Sequence, residues 1–310
     1  QRQNVYNQTR EMKLIMVEVD ANHTLVNLRR APNVQDILSN MYSSRKEPYV
    51  LPLRDLLGMI GAHEWYKKGV FIPQLGERIY PTYGVFAPTR NEYLDLVDEA
   101  AIHFSTNYVN GNNEEKTAMM DIGCGTGVLS ALMLKKHNEI IDRVIATDTN
   151  PIAIQCSQDN MNRLGFNSKV QLIQTDLFPA DGSKADLIVS NPPWIPGRTY
   201  SWLDRAIFDD NELSFLRRFL LNVKNHLKSK QNSEVWLLLS NLAELLGLRS
   251  RNDLMEMIEA GSLRVVGVYH TKPKHPKTSK SRHSYRGEHE DIATARASEI
   301  TSLYRLRVDE

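Results

Sequence analysis

Met119-Met-Asp-Ile-Gly-Cys-Gly-Thr-Gly-Val128 runs from an apolar stretch into three alternating glycines and out into a second apolar stretch. That order reads as a buried strand, a glycine-rich turn and a helix, the opening unit of a doubly wound α/β sheet. Gly123, Gly125 and Gly127 permit a tight turn and close backbone approach by a ligand. A dinucleotide fingerprint needs its next glycine at position 128, where Val stands, so the pattern leans away from NAD. Asp121, at the carboxyl end of the strand, suits a ligand that carries a cation, such as a sulfonium or an α-ammonium group.

Working outward, Arg143-Val-Ile-Ala-Thr-Asp148 reads as a second strand, with Asp148 where an acid in such sheets bonds ribose hydroxyls. Asn150 and Pro151 have the character of an N-cap and a first helical residue, and Ile154, Met161 and Leu164 then recur at helical spacing. A third strand, Lys169 to Gln174, runs into Asp176-Leu177-Phe178, which places Asp176 to accept from an adenine amino group. Asp186-Leu-Ile-Val-Ser190 is a fourth apolar run, and it ends in Asn191-Pro192-Pro193-Trp194. Two prolines make a rigid rim without amide hydrogens, and the aromatic ring gives a stacking face. The Asn191 side-chain oxygen and the Pro192 carbonyl are then expected to accept both hydrogens of a planar NH2 group. Such a nitrogen is a poor nucleophile while its lone pair is delocalised, and twin acceptors favour the geometry that frees it.

Asp-Ile-Gly-Cys-Gly-Thr-Gly, Ala-Thr-Asp-Thr-Asn-Pro, Thr-Asp-Leu-Phe and Asn-Pro-Pro-Trp, in this order, resemble the class I S-adenosylmethionine-dependent methyltransferases. More narrowly, the chain is similar to the small-domain group that modifies release-factor glutamine and base amines of ribosomal RNA. The resemblance implies a Rossmann-like sheet of seven strands with the last antiparallel, preceded by a small helical region and a β-hairpin. It implies S-adenosylmethionine across the strand ends, with Asp121, Gly123 and Gly125 at its methionine part, Asp148 at the ribose, and Asp176 and Leu177 at the adenine. Asn191, Pro192, Pro193 and Trp194 would face the acceptor, and Pro88 and Thr89 would lie near the cofactor or acceptor mouth. The acceptor is then an NH2 nitrogen of a base in nucleic acid, ribosomal and transfer RNA included, or a glutamine side chain in a protein. Relatives of the first kind often carry Phe where Trp194 stands and those of the second usually carry Tyr. Asp210 and Asn211 replace glycines expected after the motif, so these departures leave the substrate open. Direct in-line displacement is expected, with Asn191 orienting the amine rather than acting as a base.

The 310 residues carry 41% hydrophobic and 24% charged residues and a formal net charge of +1, enough chain for such a core and an accessory region. The longest apolar run, Val235 to Leu239, reads as a fifth strand and is too short to cross a membrane. The polar start Gln1-Arg-Gln-Asn lacks a secretory leader's pattern, and its Gln in place of Met suggests a fragment or a processed chain. Cys124 and Cys156 offer no disulfide framework, and the scattered histidines suit no structural metal, so a cytoplasmic enzyme without metal is expected. Residues 1–72 are expected to form a mainly helical substrate-recognition region, with helices around Val34–Tyr42 and Leu53–Tyr66 and an apolar face of Leu53, Leu56, Leu57 and Ile60. Residues 73–310 are expected to hold the methyltransferase domain, entered by a hairpin over Glu77–Pro88 and a helix capped by Thr89 and Glu92. Between expected strands at Leu263–His270 and Ile300–Arg307, residues 272–286 carry Lys272, Lys274, Lys277, Lys280, Arg282 and Arg286 without an acid, a pattern suited to phosphate contact. Two other readings remain: a catalytically silent methyltransferase-like subunit that binds a partner, and a nucleotide-dependent oxidoreductase on the same sheet.

Overall fold

A computed structural model describes residues 15–28, 30–42, 45–110, 117–197, 199, 205–210, 213–273 and 295–309. The chain divides into two units, residues 1–69 with 81–83, and residues 70–80 with 84–310. In the first, strand β1 (Met16–Val19) pairs antiparallel with β2 (Tyr49–Pro52), and helices α1 (Gln35–Met41) and α2 (Leu53–Lys68) complete the unit. The helices fall where apolar spacing placed them, but the strand ladder was not read from that spacing. Val17, Val19 and Leu51 point inward from the ladder and bury against Leu38, Leu56 and Met59. Leu57, expected on the inner face of α2, is exposed, and Met59 takes its place in the core.

The second unit opens with an antiparallel hairpin, β3 (Val70–Ile72) and β4 (Glu77–Ile79). This corrects the expected Glu77–Pro88 hairpin, because Glu77–Ile79 pairs backward in the chain. Leu75 and Gly76 amides both return to the Ile72 carbonyl, and Gly76 adopts φ +67°, which favours glycine. Beyond β4 the chain leaves the hairpin: the Tyr80 amide donates to Asn160 Oδ1 at 2.9 Å, and Gly84 accepts from Asn150 Nδ2 at 3.0 Å. Helix α3 (Tyr93–Asn110) follows without the expected capping box. The Thr89 amide turns back to the Ala87 carbonyl, and the Glu92 carboxylate goes to Arg90.

Then come β5 (Thr117–Ile122), α4 (Val128–Lys136), β6 (Ile141–Asp148), α5 (Pro151–Leu164), β7 (Val170–Gln174) and β8 (Leu187–Ser190). After the short β9 (Ile195–Pro196) and β10 (Phe208–Asp209) come α6 (Ser214–Asn222), β11 (Glu234–Ser240), α7 (Leu242–Leu245), α8 (Arg251–Ala260), β12 (Leu263–Thr271) and β13 (Thr301–Val308). The main sheet has seven strands in the order β12-β13-β11-β8-β5-β6-β7. β13 is antiparallel to both neighbours, and the other ladders are parallel, so the doubly wound topology with an antiparallel last strand is as expected.

Burial on both faces explains the continuous apolar strands. On β5, Met119 joins one core cluster and Met120 and Ile122 the other, following the two-residue alternation of a strand. At the opposite end of the sheet from the glycine turn, Glu234 is buried with Arg305 and Arg307. Its carboxylate accepts from Arg305 Nη2 at 2.6 Å, Arg307 Nη2 at 2.7 Å and the Trp236 indole at 2.9 Å. Burial alone raises the Glu234 pKa, but the Arg305 and Trp236 bonds outweigh it and hold the group below its ordinary value. Among the described residues no helix is long and apolar enough to cross a membrane. Positions 274–286 of the basic stretch, and Asn211, lie outside the described residues.

Candidate functional site

Register brings the motifs together. Ile122 stands opposite both Thr147 and Ser190, so the chain leaves β5, β6 and β8 at one level, and Gly123, Asp148 and Asn191 emerge side by side. Side chains lock this alignment: Ser190 Oγ donates to the Ile122 carbonyl at 2.9 Å, and the Gly123 and Cys124 amides donate to the Thr147 carbonyl. Gly123 and Gly125 have φ of +78° and +53°, and a Cβ at Gly125 would meet nothing within 4 Å, so its backbone borders open space. Gly127 serves a different end. A Cβ there would collide with Ser157 Oγ and lie 3.0 Å from Met161 Cε, so this glycine lets α5 approach the turn.

Asp121 is fully buried, and its Oδ2 accepts from Ser130 Oγ at 2.6 Å and the Ser130 amide at 3.2 Å. Its Oδ1 has no hydrogen-bond partner. Burial pushes the Asp121 pKa up to about 6, against the Ser130 bonds. Asp148 Oδ2 accepts from the Gly125 amide at 3.0 Å and Oδ1 from the Asn150 amide at 2.9 Å, which leaves further lone pairs on both oxygens. Burial raises its pKa too, partly offset by these amides. Asn150 caps α5 through the Ile152 amide, as the sequence indicated.

Asp176 does not join this group in the same way. It is 61% exposed and pairs with Arg218 Nη2 at 2.6 Å. Leu177 is buried at φ +66°, and its carbonyl accepts from Thr147 Oγ1 at 2.6 Å, which fastens the turn after β7 to the end of β6. Pro88 is buried and Thr89 half-buried; both lie on the approach to Arg90 and α3.

The Asn191 turn has a built interior. Trp194 Nε1 donates to Asn191 Oδ1 at 2.9 Å, so the side-chain oxygen expected to be free for an acceptor amine already serves one bond. Asn191 also hydrogen-bonds the buried Tyr93 phenol, whose pKa is raised by burial and then by the neighbouring Asp121 charge. Pro192 is buried behind the turn. Beyond it, β9 pairs with β10, the Gly197 amide meets the Asp209 carbonyl at 2.6 Å, and the buried Asp209 carboxylate accepts the amides of Asp210, Phe215 and Leu216. Asp210, standing for an expected glycine, accepts from the Ser214 amide at the start of α6.

Tyr93, Arg90, Ser130 and Asp209 were not singled out in the sequence. Tyr93 had a signal only as an apolar residue at helical spacing, and no local pattern marks Arg90 as a neighbour of Trp194.

Residues 95–229 match the family model described as "Methyltransferase small domain". Over 79 residues, 24% of the chain, it is 39% identical to a tRNA1(Val) (adenine(37)-N6)-methyltransferase of Haemophilus influenzae (strain PittGG). Over 74 residues it is 42% identical to a release factor glutamine methyltransferase of Moorella thermoacetica. The aligned parts span 34% of the first relative's length and 26% of the second's. A ribosomal protein L11 methylase structure from Lactobacillus delbrueckii subsp. bulgaricus overlays on 68% of the chain and 80% of its own, with a TM-score of 0.39 and 14% identity. The glycine turn, the acids at the strand ends and the Asn191 turn all lie within residues 95–229, the part of the chain that matches this family model.

Proposed function

We propose that this chain is an S-adenosylmethionine-dependent N-methyltransferase acting on a planar NH2 nitrogen, either of a base in RNA or DNA or of a glutamine side chain. The observation that carries this reading is the common level of Gly123, Asp148 and Asn191, which sets a cation-compatible pocket floor beside an amine-orienting turn. The pocket residues fit the cofactor. The orphaned Asp121 Oδ1 offers a buried acceptor for an α-ammonium group, the open Gly125 backbone admits a close ligand, and Asp148 retains lone pairs for ribose hydroxyls. When bound, the cofactor supplies an electrophilic methyl on a sulfonium. Asn191, held by Trp194 and Tyr93, orients the NH2 group with its remaining oxygen lone pair, and the Pro192 carbonyl is the second acceptor. Asp176 belongs to the adenine end of the pocket, with Leu177 beneath it; there Arg218 competes for the carboxylate. Pro88 and Thr89 border the mouth. Between acceptors, the basic stretch after Lys272 and the Asn191 turn incline the reading to nucleic acid or a ribosome-associated acceptor.

Transfer of tritium from methyl-labelled S-adenosylmethionine into an extract lacking this enzyme, fractionated into RNA, DNA and protein, tests the reading. Label in RNA or DNA supports the base amine and label in protein the glutamine. Cofactor binding without label in any of the three fractions moves the reading to a small-molecule acceptor or a silent subunit.

Asp148→Ala is expected to weaken S-adenosylhomocysteine binding about tenfold or more in titration calorimetry, because charge-assisted bonds of this kind contribute roughly 1.5 to 3 kcal/mol. An unchanged affinity would remove Asp148 from the ribose site. Asp121 makes a pH prediction. Its native pKa, near 6, exceeds the ordinary value of 3.8, so between these values the folded state takes up a proton and its burial penalty is relieved as pH falls. An ammonium ligand needs the ionised carboxylate, so affinity should rise with pH from 5 to 7 and binding at about pH 5.5 should release a proton. Calorimetry in buffers of different ionisation enthalpy reads that proton; Asp121→Asn should abolish its release, and release persisting in the variant would assign it elsewhere.

A further inference from the structure

The Asn191 turn is gripped from a distant part of the chain. The Arg90 guanidinium carbon lies 5.6 Å from the centroid of the Trp194 ring. Two acids hold that guanidinium: Arg90 Nε donates to Glu92 Oε1 at 3.3 Å, and Nη2 faces Glu299 Oε1 at 3.0 Å as a charge contact off the line of a hydrogen bond. The side chains of Glu92 and Glu299 are only 4% and 1% exposed. Ser240 Oγ, at the end of β11, donates to Glu299 Oε1 at 2.6 Å, and Glu299 Oε2 is buried without a hydrogen-bond partner.

Two buried carboxylates around one guanidinium return little net stability, since desolvation offsets their attraction. What the arrangement does provide is direction. A guanidinium is planar and rigid, so holding its edge also sets the plane it presents to an aromatic ring. An indole N–H can only donate, so its bond to Asn191 must go to the carbonyl oxygen, which fixes which way the amide points. One lone pair of Oδ1 is thereby used and the other left.

We propose that Arg90 is a positioning residue: by its cation–π contact with Trp194 it holds the indole in place and, through the indole N–H, selects the one lone pair of Asn191 Oδ1 that an incoming NH2 group meets. The part of this that concerns the NH2 group rests on the methyltransferase reading. The part that concerns the Trp194 ring does not. One hydrogen of the amine then goes to Asn191 Oδ1 and the other must find the Pro192 carbonyl, so a nitrogen with a single hydrogen loses half of the recognition.

The test uses the full chain labelled with 15N, in which four tryptophans give indole signals and Trp194→Phe identifies the signal of Trp194 by its loss. In Arg90→Ala and in Arg90→Lys, which keeps the charge for Glu92 and Glu299 but not the flat face, hydrogen exchange at the Trp194 indole should quicken at least tenfold. The signals of Trp65 and Trp236 should keep their rates, and S-adenosylhomocysteine affinity should stay within threefold. Tritium transfer into the labelled fraction should fall at least tenfold in both variants. Wild-type exchange at Trp194 in both variants would overturn the proposal, as would faster exchange at Trp65 and Trp236 as well, which would make Arg90 a support of the whole fold. If the wild type itself transfers no tritium, the methyltransferase reading fails, while the exchange rates still decide whether Arg90 holds the ring.

Discussion

Replacing Asn191 with Ala should cost at least about a hundredfold in methyl transfer, the scale on which a small misplacement of a reacting group is felt, while S-adenosylhomocysteine affinity changes less than threefold. The separation follows from position: Asn191 leaves β8 beside the glycine turn, and the Gly123, Gly125 and Asp148 contacts do not pass through its side chain. The same substitution also strips the Trp194 indole and the Tyr93 phenol of a shared partner, so a loss of roughly 1 to 3 kcal/mol in stability should accompany it. Denaturant unfolding beside a single-turnover assay distinguishes the two effects. Turnover that survives would pass the orienting role to another group, and a tenfold loss of cofactor affinity would place Asn191 in the cofactor pocket.

Glu234→Ala should be the more damaging change to the fold. It would leave the Arg305 guanidinium and the Trp236 indole without their buried acceptor and Arg307 without its nearest acid, and removing one partner of a buried ion pair costs about 3 to 5 kcal/mol. The acid limb of the stability curve should change with it. Because the folded pKa of Glu234 lies below 4.5, its contribution is present above that pH and is lost as pH falls through the lower folded value. Wild type and variant should therefore converge in stability at low pH. Equal melting temperatures at neutral pH would show that the two arginines find other partners.

Much of this architecture was legible because it is written in short range. The ends of β5, β6 and β8 are marked by glycine, acid or proline directly after an apolar run, and a parallel sheet aligns such ends by its register. Asn150 and Pro151 announce α5 by residues that only make sense at a helix start. The errors share a cause. Glu77–Ile79 carries no sign of which neighbour it will pair with, and the decisive clue, Gly76 at positive φ, lies on the side not chosen. Thr89 and Glu92 have the spacing of a capping box, but Arg90 is a stronger partner for Glu92 than a backbone amide. Apart from these, the partner of Asp176 was not legible, since only the fold brings Arg218 of α6 against it. The Arg90, Trp194 and Glu299 association joins three remote segments, and no local pattern encodes it.

The Gly197 amide's bond to the Asp209 carbonyl ties the strand that follows Trp194 to the residue that holds the start of α6. Asp209 is thus a rivet shared by two elements: its carbonyl holds the end of β9 and its carboxylate holds the first turn of α6. Loss of that carboxylate would be felt through β9 as well as α6, so the footing of the Trp194 turn is shared with a helix start that follows it in the chain.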